Sequence, residues 1–297
     1  MIQSWFKAFR LRTLPLSMSG IILGSFLAKE DGDWDVLIFV FALLTTLFFQ
    51  VLSNLANDLG DSQKGTDNQF RVGPMRTVQS GEISMNAMKI AVAFFSFFSL
   101  ISASILIYLS ASGMTTEVVW MYVILAILCV IAAITYTVGK RAYGYHGFGD
   151  LFVFIFFGLV SVLGSYTLYT KTFNPEIIFP AITIGLLSTA VLNLNNMRDQ
   201  VNDKSSNKIT LVVKLGKSKA KIYHFFLVLV AIISAVFFLQ ELNTFRYLFL
   251  IPFCILTLHL QKVNNTQEDK DFDPELKKVA LTTFLIAIMY AVISSFS

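Results

Sequence analysis

Long hydrophobic runs, separated by short polar segments, follow one another through most of the 297-residue chain. A helix needs about 20 consecutive apolar residues to cross a bilayer. Nine runs reach or approach that length, so the pattern predicts an all-α polytopic membrane protein. The expected spans are 14–28, 36–57, 88–110, 118–138, 148–170, 176–197, 221–239, 246–261 and 278–296. The first run is short and the eighth is borderline, which leaves eight spans as the alternative.

The composition agrees with this architecture. The chain is 55% hydrophobic and 14% charged, whereas soluble domains are about a quarter charged. Cys129 and Cys254 both lie within apolar runs, where cysteine is a small buried hydrophobe and no disulfide framework is implied. Residues 1–297 are therefore expected to form one transmembrane domain in membrane lipid, with no nucleic-acid partner.

The Lys and Arg residues are distributed unevenly between the predicted loops. If the N-terminus is cytoplasmic and nine spans cross, every Lys and Arg lies on the cytoplasmic side except Lys29, Lys171 and Arg246. Positive residues concentrate in the cytoplasmic loops of membrane proteins. The bias therefore predicts nine spans and a cytoplasmic N-terminus.

Two clusters of Asn and Asp interrupt the hydrophobic pattern where the second and sixth runs end. The first cluster occupies residues 54–61 and the second residues 193–203. Ionisable residues at the margin of a bilayer are costly to place and mark functional sites by default. A single Asn or Asp would be explained as a helix cap or an interhelical hydrogen bond, but two clusters in two halves of the chain favour a shared functional site on the cytoplasmic side.

The spacing within the two clusters is related. Asn57 and Asp61 are four residues apart, and so are Asn195, Asp199 and Asp203. Residues four apart lie on one face of a helix, about 6 Å apart along its axis. Each cluster therefore predicts a polar stripe along one face of its helix. The shared four-residue spacing is also a weak indication of an internal repeat.

Facing carboxylate stripes repel each other unless a cation lies between them. Oxygen ligands suit a hard ion, above all Mg²⁺, which commonly binds through a few carboxylates and substrate phosphates. The candidate metal ligands are Asp61, Asp199, Asp203, Asn57, Asn195, Asp58 and Asp67. Gly60 and Gly65 are expected to let the chain turn and bring Asp67 near the site. His146, His224 and His259 are scattered and indicate structural roles rather than zinc.

Positive residues surround both clusters on the predicted cytoplasmic side. They are Lys64, Arg71, Arg76, Lys140, Arg141, Arg198 and Lys208. A metal ion together with Lys and Arg is the expected apparatus for holding a diphosphate and stabilising it as a leaving group. The alternative is that these residues only set the membrane topology, and that alternative is favoured for Lys217, Lys219 and Lys221.

The same residues resemble the signatures of the UbiA-type intramembrane prenyltransferases. The matching segments are 10–15, 57–61, 64–67, 71–76, 136–150, 195–203 and 208–216. Their combination resembles the branch that prenylates 1,4-dihydroxy-2-naphthoate, although any one segment alone would be weak. Asn207 stands where members of this family commonly have a glycine. Gly65 stands where another branch of the family has the last Asp of its first motif.

The resemblance implies nine helices around a central cavity in the cytoplasmic membrane of a bacterium. Its motif loops, residues 54–80 and 193–216, would cap that cavity on the cytoplasmic side. The implied substrates are a polyprenyl diphosphate and 1,4-dihydroxy-2-naphthoate, with Mg²⁺ as cofactor. Transfer would replace the ring carboxyl group, release CO₂ and give demethylmenaquinone for menaquinone biosynthesis.

The resemblance and the chemistry together assign roles. The candidate catalytic residues are Asp61, Asp199, Asp203, Asn57 and Lys64. The candidate substrate-binding residues are Arg10, Arg12, Arg71, Arg76, Tyr136, Tyr143, Arg198 and Lys208. Tyrosine rings, including Tyr166, are candidates to face the allylic cation, and the alternative is that such a ring lies in the core or against lipid. Arg10 or Arg12 is a candidate to orient the acceptor carboxylate, and the alternative is that these arginines only anchor the chain at the membrane.

Two alternative functions remain open from the sequence. The first is the same fold acting on another aromatic acceptor, such as 4-hydroxybenzoate or homogentisate. The second is a cation-coupled transporter, although transporter sites favour the bilayer midplane and these clusters lie at its edge.

Overall fold

The computed structural model describes residues 2–295, without the side chains of Glu241, Asn243 and Thr244. Its α-helices are α1 (Ile2–Phe9), α2 (Leu14–Glu30), α3 (Val36–Gln63), α4 (Met85–Ser110), α5 (Thr116–Thr135), α6 (Gly149–Val153), α7 (Ser161–Thr170), α8 (Ile178–Ser205), α9 (Leu211–Leu215), α10 (Lys217–Phe238), α11 (Leu250–Asn265) and α12 (Phe272–Ser294). A π-helical segment, Phe154–Val160, joins α6 and α7. Short 3₁₀ segments are Leu11–Thr13, Tyr143–His146, Pro175–Ile177, Leu239–Phe249 and Asp269–Asp271.

Within residues 2–295, nine helical stretches are long and apolar enough to cross a membrane. They contain α2, α3, α4, α5, α6 with α7, α8, α10, α11 and α12. The predicted all-α fold with nine spans is therefore confirmed, and the protein is an integral membrane protein. The borderline eighth run is the stretch Phe245–Asn265.

The helices that carry the two Asn/Asp clusters extend beyond their predicted ends. α3 continues to Gln63 and α8 to Ser205, so both clusters are helical. Most of their polar residues are buried between helices instead of lying in solvated loops. The helical hydrogen bonds satisfy the backbone N–H and C=O groups there, which burial would otherwise leave without partners. We call the end of the bundle where these two helices end the Asp end.

The chain leaves α3 and α8 through residues with positive φ. Gly65 has φ +71° and Asn207 has φ +54°. Glycine adopts this conformation without steric cost, and asparagine is one of the few other residues that tolerate it. Asn207 therefore makes the turn after α8 in a conformation that glycine adopts most readily.

Gly60 was expected to help the chain turn, and that expectation was wrong. Gly60 lies inside α3, where a Cβ atom would come within 2.5 Å of the Thr137 hydroxyl oxygen. The glycine thus permits close packing of α3 on the segment that follows α5. Thr137 uses the short distance to donate a hydrogen bond to the carbonyl oxygen of Ala56 (2.9 Å).

Small residues bring α2 against α7. A Cβ atom on Gly20 would lie 1.9 Å from the Ser161 hydroxyl oxygen, and one on Gly24 would lie 2.3 Å from the carbonyl oxygen of Val162. Glycines four residues apart allow this close approach of two helices in a membrane. α2 also packs against α12, so the first span has neighbours from the middle and from the last span of the chain.

Buried polar side chains join α10, α11 and α12. The Nε2 atoms of His224 and His259 are 2.8 Å apart, and Nδ1 of His259 lies 2.6 Å from a Glu275 carboxylate oxygen. Interhelical hydrogen bonds of this kind hold membrane helices together. The two histidines thus take part in a structural contact between these three helices.

Candidate functional site

A buried ammonium group joins the two Asn/Asp clusters. Nζ of Lys208 lies 3.3 Å from a carboxylate oxygen of Asp61 on α3 and 3.9 Å from one of Asp203 on α8. All three residues are less than 10% exposed. The structure therefore brings together two carboxylates that the sequence placed 142 positions apart, on opposite sides of one positive charge.

The electrostatics of Lys208 follow from this arrangement. Burial alone would lower the pKa of its ammonium group. The carboxylates of Asp61 and Asp203 outweigh burial and raise the pKa of Lys208 above its ordinary value. Lys208 thus remains a fixed positive charge at the point where the carboxylates converge.

Tyr145 completes this part of the site, and the sequence analysis missed it. Its hydroxyl donates a hydrogen bond to Asp61 Oδ1 (2.7 Å) and lies 2.6 Å from the Thr66 hydroxyl oxygen. Its ring lies beneath the ammonium groups of Lys64 and Lys208, which are 3.8 and 5.4 Å from the ring centroid. Such positions are typical of cation–π contacts. Burial lowers the pKa of Lys64.

Asp199 has cationic partners on its own helix and on the loop after α3. Arg198 Nε and Nη2 donate to its two oxygens at 3.1 and 2.8 Å. Across the site, Nη2 of Arg71 lies 3.5 Å away and the backbone N–H of Gly73 donates to Oδ1 at 3.2 Å. Asp199 therefore attaches loop 64–84 to α8.

Arg198 connects three acidic or polar side chains. Besides Asp199, it donates to Asn195 Oδ1 at 2.7 Å and to an oxygen of Asp273, at the start of α12, at 2.5 Å. Asn195 thus lies within the predicted polar stripe of α8, with its amide oxygen engaged by Arg198. Asp273 was not among the predicted site residues, because nothing in the sequence places α12 beside α8.

Asp67 lies on the loop that covers the Asp end. Its Oδ1 is 3.3 Å from Nε of Arg71 and 3.7 Å from Nε of Arg76. Burial and the negative charge of Asp61 raise the pKa of Asp67 to about 7, although Arg71 opposes the shift. The predicted approach of this loop residue to the cluster therefore agrees with the geometry.

Asp58 and Asn57 have different surroundings although they are adjacent. Asp58 Oδ2 accepts hydrogen bonds from the hydroxyl (2.7 Å) and the backbone N–H (3.3 Å) of Thr77. Asn57 points to the other side, where its Oδ1 lies 3.3 Å from the Thr137 hydroxyl oxygen. Asp58 thus holds the loop after α3, while Asn57 lines the cavity described below.

The two N-terminal arginines, Arg10 and Arg12, lie in different environments. Nη2 of Arg10 donates to the carbonyl oxygen of Asn54 at 3.4 Å, and Asn54 lines the cavity. Arg12 is exposed. Of the two, only Arg10 reaches the first cluster.

Asn202 is a second residue that the sequence analysis missed. Its amide nitrogen donates to the backbone oxygen of Thr66 at 2.8 Å and so fastens the loop after α3 to α8. Asn202 belongs to the second cluster by position, but it does not share the four-residue spacing of Asp199 and Asp203. Its role depends on the loop lying over α8, which the spacing does not reveal.

An apolar cavity of about 350 Å³ extends from the Asp end into the bundle. Its walls are formed by α2, α3, α4, α5 and the continuous helix from α6 to α7. Asn57, Tyr136 and Tyr143 line the polar end, and Tyr122 and Leu168 line the opposite end. The structure therefore places a site rich in charge at the mouth of a long hydrocarbon-like space.

Of the three tyrosine rings that were predicted to face this space, two line it and one does not. Tyr136 and Tyr143 both line it, with ring centroids 5.3 Å apart, and burial raises the pKa of Tyr136 to about 12. Tyr166 does not belong to the cavity lining. Its hydroxyl donates to Asp31, which follows α2 at the end of the bundle opposite the Asp end, so the expectation for Tyr166 was wrong.

The donor set at the Asp end suits a hard cation. Among the residues that the structure describes, no three His, Cys, Asp or Glu side chains are grouped as a metal site. Asp61 and Asp203 nevertheless approach one positive charge from two helices. A pair of carboxylates that leaves further positions to phosphate oxygens is the arrangement that Mg²⁺ commonly uses. The residues present therefore fit a magnesium ion bound together with a phosphorylated ligand.

Known proteins resemble the chain over nearly its full length, two octaprenyltransferases among them. The 1,4-dihydroxy-2-naphthoate octaprenyltransferase of Haemophilus influenzae is 39% identical, over 98% of this chain and 95% of its own. The protein of the same name from Escherichia coli is also 39% identical, over 97% and 94% of the two chains.

Solved structures agree with the fold. A UbiA homologue from Aeropyrum pernix K1 superposes with a TM-score of 0.71 at 14% identity, covering 97% of this chain and 99% of the other. A UbiA homologue from Archaeoglobus fulgidus, bound to DMAPP and Mg²⁺, superposes with a TM-score of 0.60 at 15% identity over the same shares. The sequence profile of the UbiA prenyltransferase family matches residues 17–292. This stretch includes both Asn/Asp clusters and all the residues that line the cavity. The chain therefore belongs to this family of membrane prenyltransferases.

Proposed function

We propose that the protein transfers a polyprenyl group from polyprenyl diphosphate to 1,4-dihydroxy-2-naphthoate, with Mg²⁺ as cofactor. The observation that carries the reaction class is the charged Asp end opening onto a long apolar cavity. The similarity to two full-length 1,4-dihydroxy-2-naphthoate octaprenyltransferases supports the acceptor. The immediate product is demethylmenaquinol, which air oxidises to demethylmenaquinone.

The two halves of the donor match the two halves of the site. An isoprenoid tail gains free energy from an apolar environment, at about 25 cal/mol per Å² of buried surface, and the cavity supplies that environment. The diphosphate requires positive charge and hydrogen-bond donors. Lys64, Arg71, Arg76 and Lys208 border the carboxylates at the Asp end, and Arg198 lies on the adjacent turn of α8.

In the proposed reaction, the bond between the allylic C1 and the diphosphate oxygen breaks, and the electron pair leaves with the diphosphate. Arg71 and Arg198 release Asp199 in part and turn toward the departing oxygens. Tyr136 and Tyr143, which line the cavity near the Asp end, stabilise the allylic cation through their aromatic rings. The apolar walls exclude water, which would otherwise capture the cation.

The naphthoate ring then attacks C1 through the carbon that bears the carboxylate. The bond to the carboxylate breaks, CO₂ leaves, and its bonding electrons restore the aromatic ring. We assign Arg10 to the acceptor carboxylate, because its guanidinium lies beside Asn54 at the cavity mouth and arginine binds carboxylates in two-pronged hydrogen bonds. Asn57, one turn before Asp61, lines the same mouth.

Asp61 and Asp203, with Asp199, are the proposed ligands of Mg²⁺, and Asn57, Asn195, Asp58 and Asp67 lie around them. When bound there, Mg²⁺ would neutralise charge on the departing diphosphate. Asp58 is the least suited of these residues, because Thr77 already occupies its Oδ2.

We also propose that the Asp end faces the cytoplasm of a bacterial cell. The support is the concentration of Lys and Arg in the loops at this end. A cysteine in place of the exposed Lys204 is expected to react with a membrane-impermeant thiol reagent in inside-out vesicles and not in intact cells. Labelling in intact cells would reverse the orientation.

The decisive experiment is product formation by the purified protein. We expect 1,4-dihydroxy-2-naphthoate, octaprenyl diphosphate and Mg²⁺ to give the prenylated quinone together with one equivalent of CO₂, and EDTA to abolish both. 4-Hydroxybenzoate serves as the competing acceptor. Transfer to that acceptor and not to the naphthoate would keep the reaction class and discard the proposed acceptor. Absence of diphosphate release with any aromatic acceptor would reject prenyl transfer.

A further inference from the structure

The guanidinium group of Arg198 is held by two carboxylates from two different helices. Its Nε and Nη2 atoms donate to the oxygens of Asp199 on α8, at 3.1 and 2.8 Å. Its Nη1 atom donates to Oδ1 of Asp273, in the first turn of α12, at 2.5 Å. A guanidinium presents five N–H donors in a rigid planar fork. Arg198 can therefore release Asp199 while Nη1 keeps its hydrogen bond to Asp273.

The surroundings of Arg198 leave its side chain little freedom. Arg198 is only 3% exposed, and Nη2 also donates to Asn195 Oδ1 at 2.7 Å. A Cβ atom on Gly73 would lie 2.6 Å from Nη2, so the backbone of loop 64–84 lies close against the guanidinium. Leaving a buried charge without a partner is costly. Arg198 therefore needs a carboxylate partner in every state of the site.

The proposed reaction takes one of the two carboxylates away from Arg198. Asp199 is a proposed ligand of Mg²⁺, and a carboxylate that binds a metal ion has less negative charge to offer a guanidinium. Asp273 is then the carboxylate that still balances Arg198. At the same moment Nε and Nη2, which had faced Asp199, are available as donors to a diphosphate.

Asp273 is suited to this role because its backbone is fixed while its side chain reaches water. The start of a helix favours a carboxylate through the helix macrodipole. Phe272 is fully buried, and a carboxylate oxygen of Glu275 lies 2.6 Å from Nδ1 of His259 on α11. The Asp273 side chain is 28% exposed, and its Oδ2 lies 3.8 Å from Nζ of Lys277. Asp273 thus offers Arg198 a charged partner at a fixed place.

We propose that Asp273 is a positioning residue for Arg198: it holds Nη1 while Asp199 turns to the metal ion, so that Nε and Nη2 point at the diphosphate. The inference rests on the proposed function, because it concerns the metal ion and the donor of that reaction. The alternative is that the contact only joins α12 to α8. That alternative predicts a loss of stability without a change in the affinity for Mg²⁺.

The test measures Mg²⁺ binding without turnover. Mg²⁺ is titrated into the purified full-length protein at a fixed concentration of farnesyl thiodiphosphate, a donor analogue whose carbon–sulfur bond ionises slowly. The melting temperature is followed, and the midpoint of its rise gives the apparent affinity for Mg²⁺. Asp273→Asn keeps the size of the side chain and removes its charge, so Arg198 then competes with Mg²⁺ for Asp199. We expect the midpoint to move to about 5- to 20-fold higher Mg²⁺.

Two matched variants separate position from charge. Asp273→Glu keeps the carboxylate and should have a midpoint closer to that of the wild type. Asp271→Asn removes the same charge from an exposed neighbour and should leave the midpoint unchanged. Asp273→Ser, a second variant without the charge, should move the midpoint in the same direction as Asp273→Asn.

A double-mutant cycle tests whether Asp273 acts through Arg198. In an Arg198→Gln background, Asp273→Asn should cause no further change in the midpoint, whereas a general loss of negative charge would add to it. With octaprenyl diphosphate as substrate, Asp273→Asn should raise KM for the donor. It should change kcat by less than about 3-fold at saturating donor and Mg²⁺, because Arg198 itself is still present.

The outcomes are distinguishable from a failure of the proposed function. An unchanged midpoint in both Asp273→Asn and Asp273→Ser would overturn the inference, and so would an equal shift in Asp271→Asn or in the Arg198→Gln background. A wild-type protein that binds the analogue with Mg²⁺ but prenylates no naphthoate would count against the proposed acceptor alone. A wild-type protein whose melting temperature does not respond to Mg²⁺ would reject the proposed metal site and, with it, this role of Asp273.

Discussion

The two Asn/Asp clusters share a sequence spacing, but the structure uses their carboxylates differently. In the first cluster, Asp61 faces a buried ammonium group, whereas Asp58 accepts hydrogen bonds from Thr77. In the second cluster, both Asp199 and Asp203 face cations, at 2.8 and 3.9 Å. The difference separates carboxylates that lie within 4 Å of a Lys or Arg side chain from Asp58, whose hydrogen bonds hold the covering loop.

This comparison gives a rule for sorting the site. A carboxylate that faces Lys or Arg across the site can exchange that partner for a metal ion or release the arginine to a diphosphate. A carboxylate oxygen held by a hydroxyl and a backbone N–H, as Oδ2 of Asp58 is, can bind a metal ion only by giving up the contacts that hold the loop. The rule predicts unequal effects for substitutions that remove the same charge.

The largest effect is expected when the cation-facing carboxylates lose their charge. Asp61→Asn and Asp203→Asn should each lower kcat by roughly 100- to 1,000-fold or more, since they remove electrostatic stabilisation of the leaving group. The matched control is Asp58→Asn, one turn away on α3, which should lower kcat by less than about 10-fold. Thermal unfolding in detergent checks that all three variants fold. Equal kinetic loss in all three would remove the distinction between the carboxylates.

An intermediate effect is expected when the shared cation is removed. Lys208→Met leaves two buried carboxylates facing each other, and breaking a buried ion pair costs about 3–5 kcal/mol of stability. Mg²⁺ should recover part of this loss and raise the melting temperature of Lys208→Met more than that of the wild type. Lys208→Arg is the control, because it keeps the charge. An equal response of the variant and the wild type to Mg²⁺ would separate Lys208 from the metal site.

The smallest effect is expected at the contact that holds the loop. Thr77→Val removes the hydroxyl donor to Asp58 and should cost about 1–3 kcal/mol, because a buried carboxylate oxygen loses a partner. Loop 64–84 should then open more often, and limited proteolysis should cut it faster while kcat at saturating substrate changes little. Thr77→Ser keeps the donor and should restore protection. Unchanged proteolysis in Thr77→Val would show that Asp58 does not fasten the loop.

The sequence and the structure agree most closely where one physical constraint dominates. The nine spans follow from the cost of placing polar groups in hydrocarbon, and the family follows from short motifs with fixed spacing. The position of Gly60 shows the limit of such reasoning. Read locally, a glycine near a helix end predicts a turn, yet it serves the packing of α3 against Thr137.

Tyr145 shows the same limit for the site. Its segment, Tyr143–His146, offers two tyrosines of similar character. Tyr143 lines the cavity, while Tyr145 donates to Asp61. A short 3₁₀ turn sends the two side chains in different directions, and no spacing rule for α-helices distinguishes them.

By itself, the sequence determined the membrane architecture and the two acidic stripes, because hydrophobic length and helical periodicity act along the chain. Only the tertiary structure decided which carboxylates meet. The convergence of Asp61 and Asp203 on Lys208 and the attachment of Asp58 to Thr77 both depend on how the loops after α3 and α8 lie against the helices. Such contacts arise from the packing of whole helices against one another, and the hydrophobic periodicity of a single helix does not determine that packing.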